Sequence, residues 1–464
     1  MNLLKNVFFS LLAILSSSIL YGQEQELKDT IQLSLSEAQK YAAEYNRSIR
    51  ASQIDVEIAK KLVWETTAIG LPQVNLKADY QHQFTVPELS FPVAGLSPSE
   101  LSSIEGLQQS QIQPGLWQYN MAGIPVPLGV KDNTTFTFTV SQLIFSGEYL
   151  VGLQASRVYK DLSEQGLAVS ELKTKEAVAN SYYVVLVLDE NIAILKSSRD
   201  LVAKTLEEIS KMREQGFVED TDVDQLKINL SNLETLIISF EGQRLISIKL
   251  LKLQIGMDIQ QSIKLTNDIE SIISADNMEY LKSPEFVIES SPTYKLLLIN
   301  ENLMMLNLKR EKSKYLPTIA GFYQHQEKMN QPAFDFMPKD VIGISASIPI
   351  ITSGQRISKI KQAKLELEKT QLNKDQAAQG LYVEYEAALN TYQIAYKNYL
   401  TNKESMEFSV KIYQKNNIKY KEGIISSLDL TQSQDQYLTA QRNYYSSVVN
   451  FLNAKVALDR ILSK

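Results

Sequence analysis

The chain lacks cysteine entirely among its 464 residues, which excludes disulfides, thiolate metal sites and a lipid-bearing cysteine anchor. Proline is almost as informative. Seven of the 13 prolines lie between Pro72 and Pro127, none falls from residue 128 to 283, and none follows Pro349. Two very long stretches therefore carry no residue that breaks a helix. Histidine is nearly absent too, with His82 and His325 as the only copies. Familiar nucleophile and base pairs are scarce as a result, and neither a Gly-x-Ser-x-Gly elbow nor a phosphate loop occurs. The net charge of -6 comes without a basic block or stripe, which argues against nucleic acid as a partner. Beyond the first residues, no segment reads as the roughly 20 consecutive apolar residues of a membrane helix.

What is present is an ordinary folding composition, 44% hydrophobic and 22% charged. Residues 1–22 read as a secretory signal: Lys5 gives the positive start, Val7 to Leu20 is apolar, and Gly22 offers a small residue at the cut. An exported chain without cysteine fits the bacterial envelope.

The sequence repeats itself. Leu71-Pro72 is echoed by Leu316-Pro317 at an offset of 245 (316 minus 71), and Ser146-Gly147 by Ser353-Gly354 at 207 (353 minus 146). Gly216, Asp222 and Gln225 recur as Gly423, Asp429 and Gln432, again at 207. One unit duplicated, with 38 extra residues in the first copy (245 minus 207), explains both offsets. The copies span 23–270 and 271–464, and the extra length falls in a Pro-, Ser- and Gly-rich surface loop over 85–133.

Each copy reads as helix, strand, loop, strand and two long helices. In the first copy a helix is expected from Ser36 to Ile69, stopped by Leu71-Pro72. Strands follow over about 73–84 and 134–145, then helices over about 148–213 and 222–256. In the second copy, strands are expected over about 318–327 and 341–350 and helices over about 355–420 and 427–462. The strand pattern is strict at Val74, Leu76, Ala78 and Tyr80 against Asn75, Lys77, Asp79 and Gln81, the period of two of a two-faced strand. The third strand is less regular, because Phe322 sits on the polar face. Four strands cannot close a barrel, and an open edge in a bilayer costs several kcal/mol per unpaired backbone group. If the strands span a membrane, several chains share one barrel; a soluble sandwich with one wet side is the other reading.

Helices of about 66 residues would each be roughly 100 Å long. Their apolar spacing runs in steps of three and four: Tyr385, Ala388, Tyr392, Ala395 and Tyr399 in one, and Tyr444, Ser447, Phe451, Ala454, Leu458 and Ile461 in another. That is coiled-coil patterning. Asp189 and Glu190 read as part of a solvated helix face, and Gln-His-Gln around each histidine is thin support for a metal site.

This order of elements, with the duplication, the two Leu-Pro stops and the two Ser-Gly helix openings, resembles the TolC-like outer membrane efflux proteins. Further resemblance lies in Leu35-Ser36-Glu37-Ala38 with Asn46, in Tyr420-Lys421-Glu422-Gly423, and in Ser427-Leu428-Asp429-Leu430. The resemblance implies a mainly α fold with a small β part. Long coiled-coil helices would form a periplasmic α-barrel, and four strands per protomer would close as a 12-stranded outer-membrane barrel in a homotrimer. It implies a passive exit duct without cofactor or catalysis, working with a periplasmic adaptor and an inner-membrane pump. A periplasmic adaptor or structural coiled coil is the alternative. The residues matching the family's periplasmic gate are Asp222, Asp429, Thr221 and Tyr420, and Asp224 adds charge nearby. A gate arginine of the family's best-known member corresponds to Ile425 here, and a second-ring aspartate to Gln432. Thr221 with Asp224, and Ser426 with Asp429, also have the spacing of helix capping boxes.

Overall fold

A computed structural model of the chain describes residues 30–91, 109–113, 116–119, 124–274, 285–331 and 335–463. The expected signal segment lies outside them. In chain order the elements are β1 (Ile31–Leu33), α1 (Leu35–Tyr45), α2 (Arg47–Ala68), β2 (Gln73–His82), β3 (Glu88–Phe91), β4 (Gln109–Gln113), β5 (Leu116–Tyr119), β6 (Ile124–Pro127) and β7 (Asp132–Ser146). There follow α3 (Gly147–Glu214), α4 (Asp220–Ile255), β8 (Ile263–Leu265), α5 (Ile269–Ser274), α6 (Pro292–Ser313), β9 (Thr318–Lys328), β10 (Asp340–Ser347), α7 (Gln355–Lys421) and α8 (Ser427–Leu462). They divide into two compact units. One comprises residues up to 54 with 165–295 and 376–464; the other comprises 55–164 with 296–375.

The first unit is helical, and its core follows the three-and-four spacing of the sequence. Tyr385, Tyr392, Ala395 and Tyr399 of α7 are buried, as are Tyr444, Phe451, Ala454, Leu458 and Ile461 of α8. Their rings meet: Phe451 stacks on Tyr399 with centroids 5.6 Å apart and packs 5.4 Å from Tyr392. Each such contact adds about 1 kcal/mol to the burial of the rings themselves. From α3 the apolar run Val178, Ala179, Tyr182, Val185 and Leu186 enters the same core. This stretch is apolar enough to pass for a membrane helix by composition, and its burial explains that composition without a bilayer. On its partly exposed face, the Asp189 carboxylate is paired with the guanidinium of Arg244 on α4.

The helix expected from Ser36 to Ile69 is two helices. Ser34 caps α1 in a capping box with Glu37, and Asn46 ends it with extended backbone. The Asn46 side chain then serves both sides of the break. Its amide donates to the carbonyl of Gln254 at 2.5 Å, and its oxygen accepts from the amides of Ser48 and Ile49, the first turn of α2. That partner is 208 residues away, so local spacing could not reveal the break. Nearby, β1 and β8 pair in parallel over three residues each.

The second unit holds one antiparallel four-stranded sheet in the order β10-β9-β7-β2. The loop expected over 85–133 contains further strands: β3 pairs with β6, and β4 with β5. A bulge between Leu143 and Phe145 shifts the β7–β9 register. This lets β7 run to Ser146, directly into α3.

Candidate functional site

Two regions carry the residues singled out by the sequence. In the sheet, the register aligns Val74 with Val140, Leu76 with Phe138, and Ala78 with Phe136. Val140 faces Tyr323, and Tyr323 faces Ile342. The alternating positions thus assemble into one apolar surface across all four strands, and it stays open: Leu76 is 72% exposed, Ile342 85% and Ile344 74%. The opposite face carries Lys77, Thr137 and Gln324, and among the described residues no second layer covers either face of β2, whose residues are nearly all exposed. This departs from a sandwich, in which one face would be buried. A contiguous apolar surface left open on a folded chain marks an interaction face. Among the described residues, the outer strands β2 and β10 each present one unpaired edge.

Phe322, the irregular residue of the third strand, has a local role. It lies opposite Gly343, and a side chain at that glycine would come within 2.8 Å of the Phe322 ring. The ring therefore fills the space that glycine leaves, an aromatic–glycine pair that pins register.

The two histidines occupy matching places near the sheet's loop end. His82 Nδ1 lies 2.8 Å from Asp132 Oδ1, and Tyr80 donates to the same carboxylate at 2.8 Å. His325 Nδ1 lies 2.8 Å from Asp340 Oδ1, and Tyr323 donates to that carboxylate at 2.6 Å. Repetition of Tyr-x-His in both copies was the signal; its aspartate partners were hidden in the adjoining strands. Among the described residues, no group of three metal-ligating side chains converges.

The second region is the pair of turns that join α3 to α4 and α7 to α8. Each ends its first helix in the same way. The amide of Gly216 bonds the carbonyl of Arg213, and that of Phe217 the carbonyl of Met212. Gly423 and Ile424 do likewise with Tyr420 and Lys419. These are Schellman turns, which place glycine in left-handed backbone, with φ of 80° at Gly216 and 71° at Gly423. The two turns pack together through Ile209, Val223, Leu226, Tyr413, Tyr420 and Leu430, and Lys421 pairs with Glu208 at 2.7 Å.

The five residues that the resemblance matched to a gate all fall here. Asp429 is the third residue of α8, and its carboxylate accepts from the Ser426 hydroxyl at 2.7 Å and the Ser426 amide at 3.1 Å in a complete capping box. Those bonds hold its carboxyl below the ordinary value. Asp222 is the third residue of α4, but the capping residue before it is Glu219, whose side chain makes no cap bond. The box expected between Thr221 and Asp224 does not form, because α4 starts at Asp220, one residue before Thr221. Thr221 donates to Glu219 at 3.3 Å and Asp224 accepts from Lys227 at 3.0 Å. Tyr420 is buried, and its hydroxyl has no hydrogen-bond partner among the described residues. Burial, and then the negative charge of Asp222, push it up to about 12. Ile425 packs at the margin of the same cluster.

Comparison with known proteins places this arrangement. Residues 313–464 match the outer membrane efflux protein family. Among curated proteins, none matches the chain in sequence. Among solved structures, the Campylobacter jejuni CmeC outer membrane channel has a TM-score of 0.68 at 16% identity, covering 92% of this chain and 85% of that one. The outer membrane protein VceC of Vibrio cholerae has a TM-score of 0.66 at 14% identity, covering 92% and 95%. The open state of the Neisseria gonorrhoeae MtrE outer membrane channel has a TM-score of 0.66 at 14% identity, covering 92% and 88%. The adaptor reading finds no support among these matches. The chain thus has the fold of these outer membrane channels, and its residues 313–464 match the outer membrane efflux protein family in sequence.

Proposed function

We propose that the chain is the outer-membrane exit duct of an efflux or type I secretion assembly, and that three copies close their sheets into one barrel of 12 strands. One observation carries this reading: a four-stranded sheet with an open apolar face, a polar opposite face and two unpaired edges. Lipid would cover the first face and water the second. Pairing the β10 edge of one copy with the β2 edge of the next satisfies backbone groups that otherwise cost several kcal/mol each in a bilayer. The helices then extend the duct across the periplasm, to an adaptor and an inner-membrane pump that supply the energy.

In this reading the two turns form the periplasmic gate. Three copies of Asp222 and Asp429 make a negative constriction that disfavours anions and binds polyvalent cations, with Thr221, Tyr420 and Asp224 around it.

Cell fractionation followed by electrophoresis without boiling tests the duct. The expected result is a heat-sensitive trimer in the outer-membrane fraction. A soluble periplasmic monomer would overturn the reading.

A further inference from the structure

The duplicated halves of the chain meet once inside the sheet, where β7, the second strand of the first copy, pairs with β9, the first strand of the second. The outer edges of the sheet belong to β10, the second strand of the second copy, and β2, the first strand of the first. A β10 edge that met the β2 edge of another molecule would therefore repeat in kind a junction whose register the sheet already holds.

Two offsets carry that register across. Leu71-Pro72 and Leu316-Pro317 directly precede β2 at Gln73 and β9 at Thr318, so 245 (318 minus 73) takes β2 to β9. Val74 lies opposite Val140, and the residue matching Val74, Ile319, lies opposite Ala346. An offset of 206 (346 minus 140) therefore takes β7 to β10. It sets Phe138, Thr139 and Val140 on Ile344, Ser345 and Ala346, apolar on apolar and hydroxyl on hydroxyl. The 207 of the Ser-Gly openings would set Phe138 on Ser345 and exchange the two faces.

We infer that β10 of one molecule pairs antiparallel with β2 of a second copy in this same register. The observed pair Val140–Tyr323 becomes Ala346 opposite Ala78 of the next copy, and Thr139–Gln324 becomes Ser345 opposite Asp79. Ile344 then faces Tyr80 on the apolar side and Ser347 faces Lys77 on the polar one. The stagger of the sheet agrees. Tyr80 matches His325 in the duplication, yet the residue level with His325, through Phe138, is Leu76, a displacement of four (80 minus 76). The inferred pairing repeats that displacement at the closing junction. A slip of two residues would keep the faces matched but leave one junction per copy out of step with the other. The second copy is supplied by the duct reading, on which the inference rests; the register comes from the duplication alone.

Disulfide mapping in the full chain tests it, with no native cysteine to interfere. Ser345, Ser347, Lys77 and Asp79 share the polar face, where a water-soluble oxidant reaches them. Within one molecule β10 and β2 lie on opposite edges of the sheet, so a bond between them joins two copies. Outer membranes carrying each double variant are oxidised with copper phenanthroline and run after boiling without reductant. Ser345→Cys with Asp79→Cys, and Ser347→Cys with Lys77→Cys, should give a covalent trimer, because directly opposed residues sit about 4.5–5.5 Å apart between Cα atoms, within the roughly 4.4–6.8 Å that a disulfide spans. The crossed pairs, Ser345→Cys with Lys77→Cys and Ser347→Cys with Asp79→Cys, represent slips in the two directions. Their diagonal separation of about 7–8 Å should lower the yield about tenfold. Each substitution serves in one expected and one crossed pair, so a variant that fails to fold cannot imitate the pattern. Crossed pairs that link as well as or better than the expected ones, in a chain that still forms the heat-sensitive trimer, would overturn the register and leave the duct reading intact. A chain that forms neither trimer nor cross-link would overturn the duct reading and the register with it.

Discussion

The two turns of the helical unit have the same glycine geometry and an aspartate at the same place in the following helix, yet they use that aspartate differently. At the second turn, Ser426 draws the Asp429 carboxylate into a capping box. At the first, the matching position is Glu219, whose side chain makes no cap bond, and the Asp222 amide donates to the Glu219 carbonyl. A duplicated backbone can thus divide labour: one copy ties its carboxylate into a helix cap, and in the other no cap bond holds it. The difference rests on one side chain, serine against glutamate, three residues before the aspartate.

The largest test of this division is electrical. In planar bilayers, block by trivalent cations should disappear in the Asp222→Ala, Asp429→Ala double variant, and Asp222→Ala alone should remove more of it than Asp429→Ala. Equal single effects would erase the distinction between the turns. Next in size are stability changes followed by thermal unfolding. Tyr420→Phe removes a buried hydroxyl that has no partner and should stabilise the protein by about 1 kcal/mol. Ser426→Ala should cost about 1 kcal/mol, the usual worth of an N-cap, whereas Glu219→Ala should cost close to nothing. Glu219→Ser should convert the first turn into the second, with a gain of about 0.5 kcal/mol or more and weaker cation block as Asp222 is drawn into the new cap. The smallest effect is on pH dependence. The carboxyl of Asp429 is held low in the folded state, so its contribution is complete above the unfolded value of about 3.9 and fades as pH falls through the folded one. The stability difference between the native chain and Ser426→Ala should therefore be constant near neutrality and shrink in acid.

Much of the framework was legible because periodicity reports burial directly. The helix expected over 355–420 spans Gln355–Lys421, and that over 427–462 spans Ser427–Leu462, since unbroken three-and-four spacing and the absence of proline leave few other structures open. Alternation placed Val74, Leu76 and Tyr80 on one face for the same reason. The fourth strand, expected over 341–350, stops at Ser347, two residues before Pro349, which has no amide to give a ladder. What spacing could not show were features set by distant partners. Asn46 breaks a helix by reaching Gln254, and His82 finds Asp132 across a strand pair. The expected Thr221–Asp224 box failed because a suitable pair of residues does not decide where a helix begins. Asp189 and Glu190, read together as a wetted face, part company: one is clamped by Arg244 and the other lines a recess.

The break at Asn46 has one further consequence, at Gly256. This residue ends α4 in left-handed backbone, and a β-carbon there would sit 2.2 Å from the carbonyl oxygen of Tyr45. Two segments far apart in the chain are thereby riveted main chain to main chain, with no room for even a methyl group between them. Any side chain at 256 would prise the joint open from one side and unseat the Asn46 clasp on the other, so the hydrogen that glycine carries in place of a β-carbon is what lets these two helix ends share a single seam.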